Sequence, residues 1–259
     1  RIEDRAYGLE FTAARAITAG QITHDLVYGL EAALTTLDEL RDGLQVNLAT
    51  GATSTTILGE NMPMRDFPLT DVTGIGIFAQ DEVAVGHSAW TLIPALRLDY
   101  YRLEPRADRV YREDNPAVPV VALDELSFAP KLGVTYEIGP RATAFLQYAH
   151  GFRSPPPEDV HIGFELPLLN YRAIPNLDLQ PERSHGHEVG LRRRGEALQL
   201  TTSAYYNDYD DFIESRVNLG PDPQTGVIQF QSQNIDKARI YGAEVAANVQ
   251  GRSEEHTSE

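Results

Sequence analysis

The stretch "LQLTTSAYYND", Leu198 to Asp208, divides its side chains cleanly in two. Leu198, Leu200, Thr202, Ala204 and Tyr206 share one side of an extended chain; Gln199, Thr201, Ser203, Tyr205 and Asn207 share the other. Successive side chains of a strand point to opposite faces, so this is a strand with one mainly apolar and one mainly polar face. The pattern recurs. Leu126, Phe128, Pro130, Leu132, Val134, Tyr136 and Ile138 oppose Ser127, Lys131, Gly133, Thr135 and Glu137. Trp90, Leu92, Leu96, Leu98 and Tyr100 oppose Thr91, Arg97 and Asp99, and Tyr241, Ala243, Val245, Ala247 and Val249 oppose Gly242, Glu244, Ala246 and Asn248. Helical spacing is nearly absent.

Extending this period along the chain predicts nine strands, at 5–18, 21–38, 70–85, 88–103, 125–138, 141–152, 185–194, 197–216 and 228–249. Their connections alternate in length. Short turns fall near 18–21, 85–88, 138–141 and 194–197, and long connections near 39–67, 104–124, 153–184 and 217–227. Every long connection therefore leaves from the same rim.

Two architectures alternate in this way: a soluble sandwich or propeller, and a transmembrane β-barrel. Three features favour the barrel. The polar face carries charges in mid-strand, at Arg97, Lys131, Glu188 and Glu244, as a wet interior requires, while the opposite face is apolar. Aromatic residues lie toward the strand ends on the apolar face. Trp90 and Tyr136 are near short turns, and Tyr100, Tyr148 and Tyr206 are toward the long loops, which matches a pair of interfacial girdles. The strands also exceed the soluble norm of about 5–6 residues and the roughly 9–11 that span a bilayer, so they should project beyond it on the loop side.

Composition narrows the function. The net charge of −16 argues against a nucleic-acid partner, since phosphate binding needs clustered Lys and Arg. The absence of cysteine excludes disulfides, zinc–thiolate sites and cysteine nucleophiles. Carboxylate pairs such as Asp210–Asp211 have no positioned base beside them, and no enzymatic constellation emerges.

Bacterial single-chain barrels have even strand counts, and an open sheet edge cannot face lipid. Nine strands thus imply an unclosed barrel piece over residues 1–251. The last eight residues, "RSEEHTSE" (252–259), match the translation of a sequencing adapter, AGA TCG GAA GAG CAC ACG TCT GAA, and are expected to be a non-native tail.

The connection from Tyr148 to Glu182 carries six prolines. Within it, "HGFRSPPPEDV" followed by "IPNLDLQPE" resembles the paired FRAP and NPxL boxes of TonB-dependent outer-membrane receptors. The fuller run through "SHGHEVGLR" and "AYYNDYDDFI" to "NIDKARIYGAEV" is similar to the haemoglobin/transferrin/lactoferrin receptor branch of that family. This resemblance covers about Phe145–Val249; the residues before it fit only as generic barrel. It implies a bacterial outer-membrane importer with a barrel of about 22 strands and a plug domain that this chain lacks. Energy would come from the TonB–ExbB–ExbD complex, and haem or an iron-carrier protein would be the partner. No permanently bound cofactor is implied; haem would be cargo. The alternatives are a siderophore or carbohydrate receptor of the same design, or a passive porin-type barrel.

On this resemblance the ligand-binding loop comprises Phe152, Arg153, Pro155, His161, Pro175, Asn176, Leu177, Pro181 and Glu182. Ser154 replaces the usual Ala of the first box, and Leu177 stands where the second more often has Pro. Haem receptors place a haem-iron ligand between the boxes, and His161 lies there, on a loop expected to leave it free to reach a ligand. Pro155, Pro156 and Pro157 are expected to hold the backbone extended. A stiff loop loses less entropy on binding. Alternatively the boxes anchor the base of the loop, with Arg153 and Glu182 paired across adjacent strands. His150, His185 and His187 fall on the outward face by parity, which argues against a shared metal site.

Overall fold

The computed structural model describes residues 1–249, so the expected tail lies outside the described residues. Nine long strands run through the chain: β1 (Ile2–Ala19), β2 (Ile22–Glu39), β3 (Leu69–Val85), β4 (Trp90–Arg106), β5 (Leu123–Glu137), β6 (Ala142–Arg153), β7 (Glu182–Arg194), β8 (Leu198–Pro221) and β9 (Ile228–Val249). Each pairs antiparallel with the next in sequence, giving a curved meander. A short ribbon, Phe164–Leu166 with Tyr171–Ala173, extends this sheet. Its second strand adds parallel to β9 at Ile228–Phe230. The sheet is not closed among the described residues.

Tight turns make the short rim. Ala19 pairs with Ile22, which leaves only Gly20 and Gln21 to reverse the chain, and Gly20 has φ of 65°. That left-handed backbone suits glycine.

The register joins the apolar positions into bands around the sheet. Leu30 opposes both Phe11 and Ile77; Leu98 opposes Ile77 and Phe128. Leu146 opposes Val134 and Val189. Among the described residues no second layer of protein covers this face: Phe11, Leu30, Ile77, Phe128, Leu146 and Val189 are all exposed. A soluble monomer rarely shows apolar patches above about 300–600 Å², so lipid is the solvent this face fits. The opposite face is wet and charged. There Arg97 donates from Nη2 to Glu31 Oε2 at 2.7 Å and from Nε to Asp99 Oδ1 at 2.8 Å. Gly76, between them in the pairing, leaves the room: a Cβ there would lie 2.5 Å from Arg97 Nη2.

Aromatic girdles mark both rims. Trp90 packs on Tyr136 at 4.6 Å between ring centroids on the short-turn side. Tyr148, His187, Tyr206 and Tyr241 lie in one register row toward the long loops.

One expected connection differs. The fourth "long loop" is nearly half strand, because β8 runs on to Pro221 and only residues 222–227 turn. Two register shifts, between Glu214 and Val217 and between Asn218 and Gly220, let the ladder continue past the apolar stretch. Arg216, with φ of 58°, is one of the two residues, with Ser215, left without a register partner in the first. The β8–β9 hairpin thus stands above the bilayer as a post.

Candidate functional site

Three connections, 40–68, 107–122 and 154–181, pack together on the long-loop rim. The first is fixed by two arginines. Arg41 forks onto Glu60, with Nη2 2.5 Å from Oε2, and reaches Asp66 at 3.0 Å. Arg65 holds Asp38 at 2.6 Å and Asp108 at 2.9 Å and also donates to the Glu39 carbonyl. Burial beside these groups raises the Asp66 carboxyl above its ordinary value.

The second connection carries a short helix, α1 (Arg109–Asp114), capped by Asp108, which accepts from the Tyr111 amide at 2.9 Å. Tyr111 is fully buried and its hydroxyl donates to the His161 carbonyl at 3.2 Å. Burial pushes its phenol up to about 12.

The third connection holds both sequence boxes. Pro156 is extended, with φ −63° and ψ 141°, but Pro157 opens a one-turn helix, α2 (Pro157–His161), instead of continuing an extended run. Proline's fixed φ suits the first helical position as well as it suits extended backbone, and its missing N–H is no loss there. α2 turns Val160 into the small core of the rim, with Leu179 and Ile213 and with Leu123 and Leu177 packed against them.

The boxes stitch this loop to the post. Asn176 donates to the Ser232 carbonyl at 2.9 Å, and the Pro175 carbonyl accepts from Gln231 at 2.7 Å. Pro155 and Pro181 are buried. Asn234 receives the Gln180 amide at 2.8 Å, and Asp159 accepts from Ser232 Oγ at 2.8 Å. Glu182 is the central bracket: Oε1 accepts the Ile213 amide at 2.8 Å and Oε2 accepts Arg153 Nη1 at 3.2 Å. The cross-strand pairing of Arg153 and Glu182 is therefore present. Phe152 lies apart from these residues, on a 500 Å³ recess of the inner wall shared with Arg97 and Tyr101.

His161 is not placed as expected. It is fully buried, with Nε2 3.0 Å from the Val121 carbonyl, so it pins the third connection to the second. Nδ1 is also buried and has no well-formed hydrogen bond, although the Pro157 carbonyl one turn back bears on it. Burial holds the imidazole below the ordinary histidine value. Loop position alone says nothing about burial when three loops cover one another.

A cleft of 760 Å³ opens between the three connections, lined by Met62, Met64, Arg109, Phe164, Glu165 and Arg172 among others. Arg172 is tied to Glu165 at 2.6 Å, and Arg41 lies over the Phe164 ring at 5.1 Å. Its size suits a small molecule, and its mix of thioethers, aromatic edge and paired charges suits a flat ligand with polar substituents. Met62, Met64 and Arg109 carry no pattern in the sequence that would single them out.

The chain resembles known proteins in both sequence and fold. It is 31% identical over 143 residues to the probable hemoglobin and hemoglobin-haptoglobin-binding protein 3 of Haemophilus influenzae, covering 53% of this chain and 13% of that protein. It is 33% identical over 110 residues to the hemoglobin and hemoglobin-haptoglobin-binding protein of Haemophilus ducreyi, covering 40% of this chain and 11% of that one. The hemophore receptor HasR of Serratia marcescens, solved with its hemophore and heme, superposes with a TM-score of 0.71 at 21% identity, over 96% of this chain and 40% of the receptor. The copper transporter OprC superposes at 0.66 with 18% identity, over 96% of this chain and 35% of that one. The chain thus spans about an eighth of the curated relatives' length. Residues 3–253 match the TonB dependent receptor-like β-barrel family. With its lipid-facing bands, wet inner wall and loop-covered rim, the chain belongs to that family of outer-membrane transport receptors.

Proposed function

We propose that this barrel serves an importer that takes haem, or iron, from a carrier protein at the cell surface. The observation that carries the reading is the likeness, over about half of the chain, to proteins named for binding hemoglobin and hemoglobin–haptoglobin. The geometry supports it: a loop platform welded to a rigid post can meet a protein carrier without a large ordering cost. Transport would draw energy from TonB–ExbB–ExbD through parts of the receptor outside this chain.

In this reading Phe152, Arg153, Pro155, Pro175, Asn176, Leu177, Pro181 and Glu182 set the shape of the ligand loop from its base. His161 would reach haem iron only after α2 lifts away from Val121, because the closed loop buries the imidazole. The test uses the intact gene product in a host that lacks its own haem and siderophore receptors. Growth on haemoglobin or haem, lost when TonB is deleted, is the expected result. Growth on ferric chelates or carbohydrate alone would reassign the cargo, and growth independent of TonB would make the barrel a passive pore.

A further inference from the structure

Above the aromatic row of Tyr148, His187, Tyr206 and Tyr241, the outward faces of β6 to β9 carry a second row: His150, His185, Asp208 and Arg239. One step higher, on β7 to β9, lie Arg183, Asp210 and Lys237. The height of these rows follows from β7. Arg183 and Arg193 bracket its outward stripe, with His185, His187, Val189 and Leu191 between them. Ten residues at about 3.3 Å each, tilted by roughly 40°, climb about 25 Å, the height of the apolar band of such a barrel. Arg183 and the two histidines are then level with the headgroups of the outer leaflet.

The patch has the charge and donors to hold an anion there. Arg239 is taken by Asp208 at 3.1 Å. Arg183 is exposed and forms no ion pair among the described residues, although Asp210 is its cross-strand partner. Three cations (Arg183, Lys237, Arg239) against two carboxylates (Asp208, Asp210) leave a local excess of one positive charge on a chain whose net charge is −16. Tyr148 Oη lies 2.9 Å from His185 Nδ1. A phenol donating to Nδ1 leaves the imidazole hydrogen on Nε2, and no protein acceptor holds that nitrogen among the described residues. The His150 ring lies 4.8 Å from that of His185.

We propose that this patch binds the phosphate of an outer-leaflet lipid headgroup. Arg183 supplies the planar fork, His185 a second donor, and Tyr148, Tyr206 and Tyr241 the amphipathic seat below it. The aromatic row directly beneath favours a lipid over a free anion, because it places acyl chains and phosphate on one ligand.

The test uses the full-length receptor in detergent, titrated with a bisphosphorylated lipid and with the same lipid after enzymatic dephosphorylation. Lipid retention is read by native mass spectrometry. The phosphorylated form should bind about tenfold more tightly, the effect of one or two charge-assisted hydrogen bonds. Arg183→Gln combined with His185→Gln should remove that preference and leave the dephosphorylated lipid unaffected, whereas Arg193→Gln on the opposite rim should not change it. Equal binding of the two lipids by the wild type would overturn the proposal even if the double variant failed to assemble. So would an unchanged preference in the double variant, or competition by inorganic phosphate at the same concentration as the lipid.

Discussion

Glu182→Ala should loosen the whole 154–181 connection while leaving the barrel intact. The side chain accepts two hydrogen bonds at the base of the loop, from the Ile213 amide at 2.8 Å and from Arg153 at 3.2 Å. Ile213 is buried in the rim core, so its N–H would lose this acceptor away from water, at about 1–3 kcal/mol. The ion pair adds less. Arg153 is 60% exposed, which discounts the contribution to about 0–1 kcal/mol. The combined loss of about 1–4 kcal/mol raises the opened population roughly 5- to 900-fold. Hydrogen exchange of the full-length receptor in lipid nanodiscs would show this in peptides spanning 154–181, with β6 and β7 peptides as the internal reference. Glu182→Gln separates the two contributions. Its carbonyl still accepts from Ile213 and only the charge is lost, so exchange should rise less than about fivefold, the equivalent of 1 kcal/mol. Wild-type exchange in Glu182→Ala, or equal acceleration in both variants, would refute the bracket.

Burial holds His161 below the ordinary histidine value of about 6.5, so the closed loop binds a proton less readily than the open one. Closure is at full strength above that pH and weakens as pH falls below it. A fluorophore on Leu168→Cys, in a chain without other cysteines, should report opening on acidification, and His161→Leu should flatten the response. Leu146→Arg places a charge on the lipid face in mid-band and should destabilise by about 2–4 kcal/mol, whereas Gln147→Arg, facing the interior, should be tolerated. Heat-modifiable migration on gels distinguishes the two. Gly190→Ala puts a Cβ 2.5 Å from the Thr202 carbonyl and against the Phe145 ring, so it should cost about 1–3 kcal/mol and reduce assembly. Gly74→Ala meets open space and should assemble normally.

The strands could be read from the sequence because lipid and lumen impose one rule on every residue between Arg193 and Arg183, and on the matching positions of eight other strands. Period 2 with an apolar side leaves little freedom in register, since a slip of one residue would turn Leu146 and Val189 inward. β8 escaped that rule above the bilayer, where both faces are wet. Its bulges at 214–220 reverse the parity, so Val217 to Pro221 looked like loop. The long connections obey no period. Whether His161 faces solvent depends on Val121, forty residues earlier, and on Tyr111 beneath it, and nothing local in "PPPEDVH" encodes either partner.

The same geometry explains why the two boxes need not touch cargo to shape its binding. Pro175, Asn176 and Gln180 spend their hydrogen bonds on the post, at Gln231, Ser232 and Asn234, and Leu177 and Leu179 face the rim core. What these contacts leave open is the cleft side of the loop, at Phe164, Glu165 and Arg172. A residue type constrained by backbone carbonyls at a loop base tolerates little change, while the ribbon it supports can vary with the ligand. Exchanging residues 164–173 for those of a relative with different cargo should therefore move specificity with the ribbon and leave loop closure intact. Substituting Asn176 by Ala should instead accelerate exchange throughout 154–181, whatever the cargo. If the ribbon exchange left specificity unchanged and Asn176→Ala altered it without loosening the loop, the division between anchor and contact would be the reverse of the one argued from these hydrogen bonds.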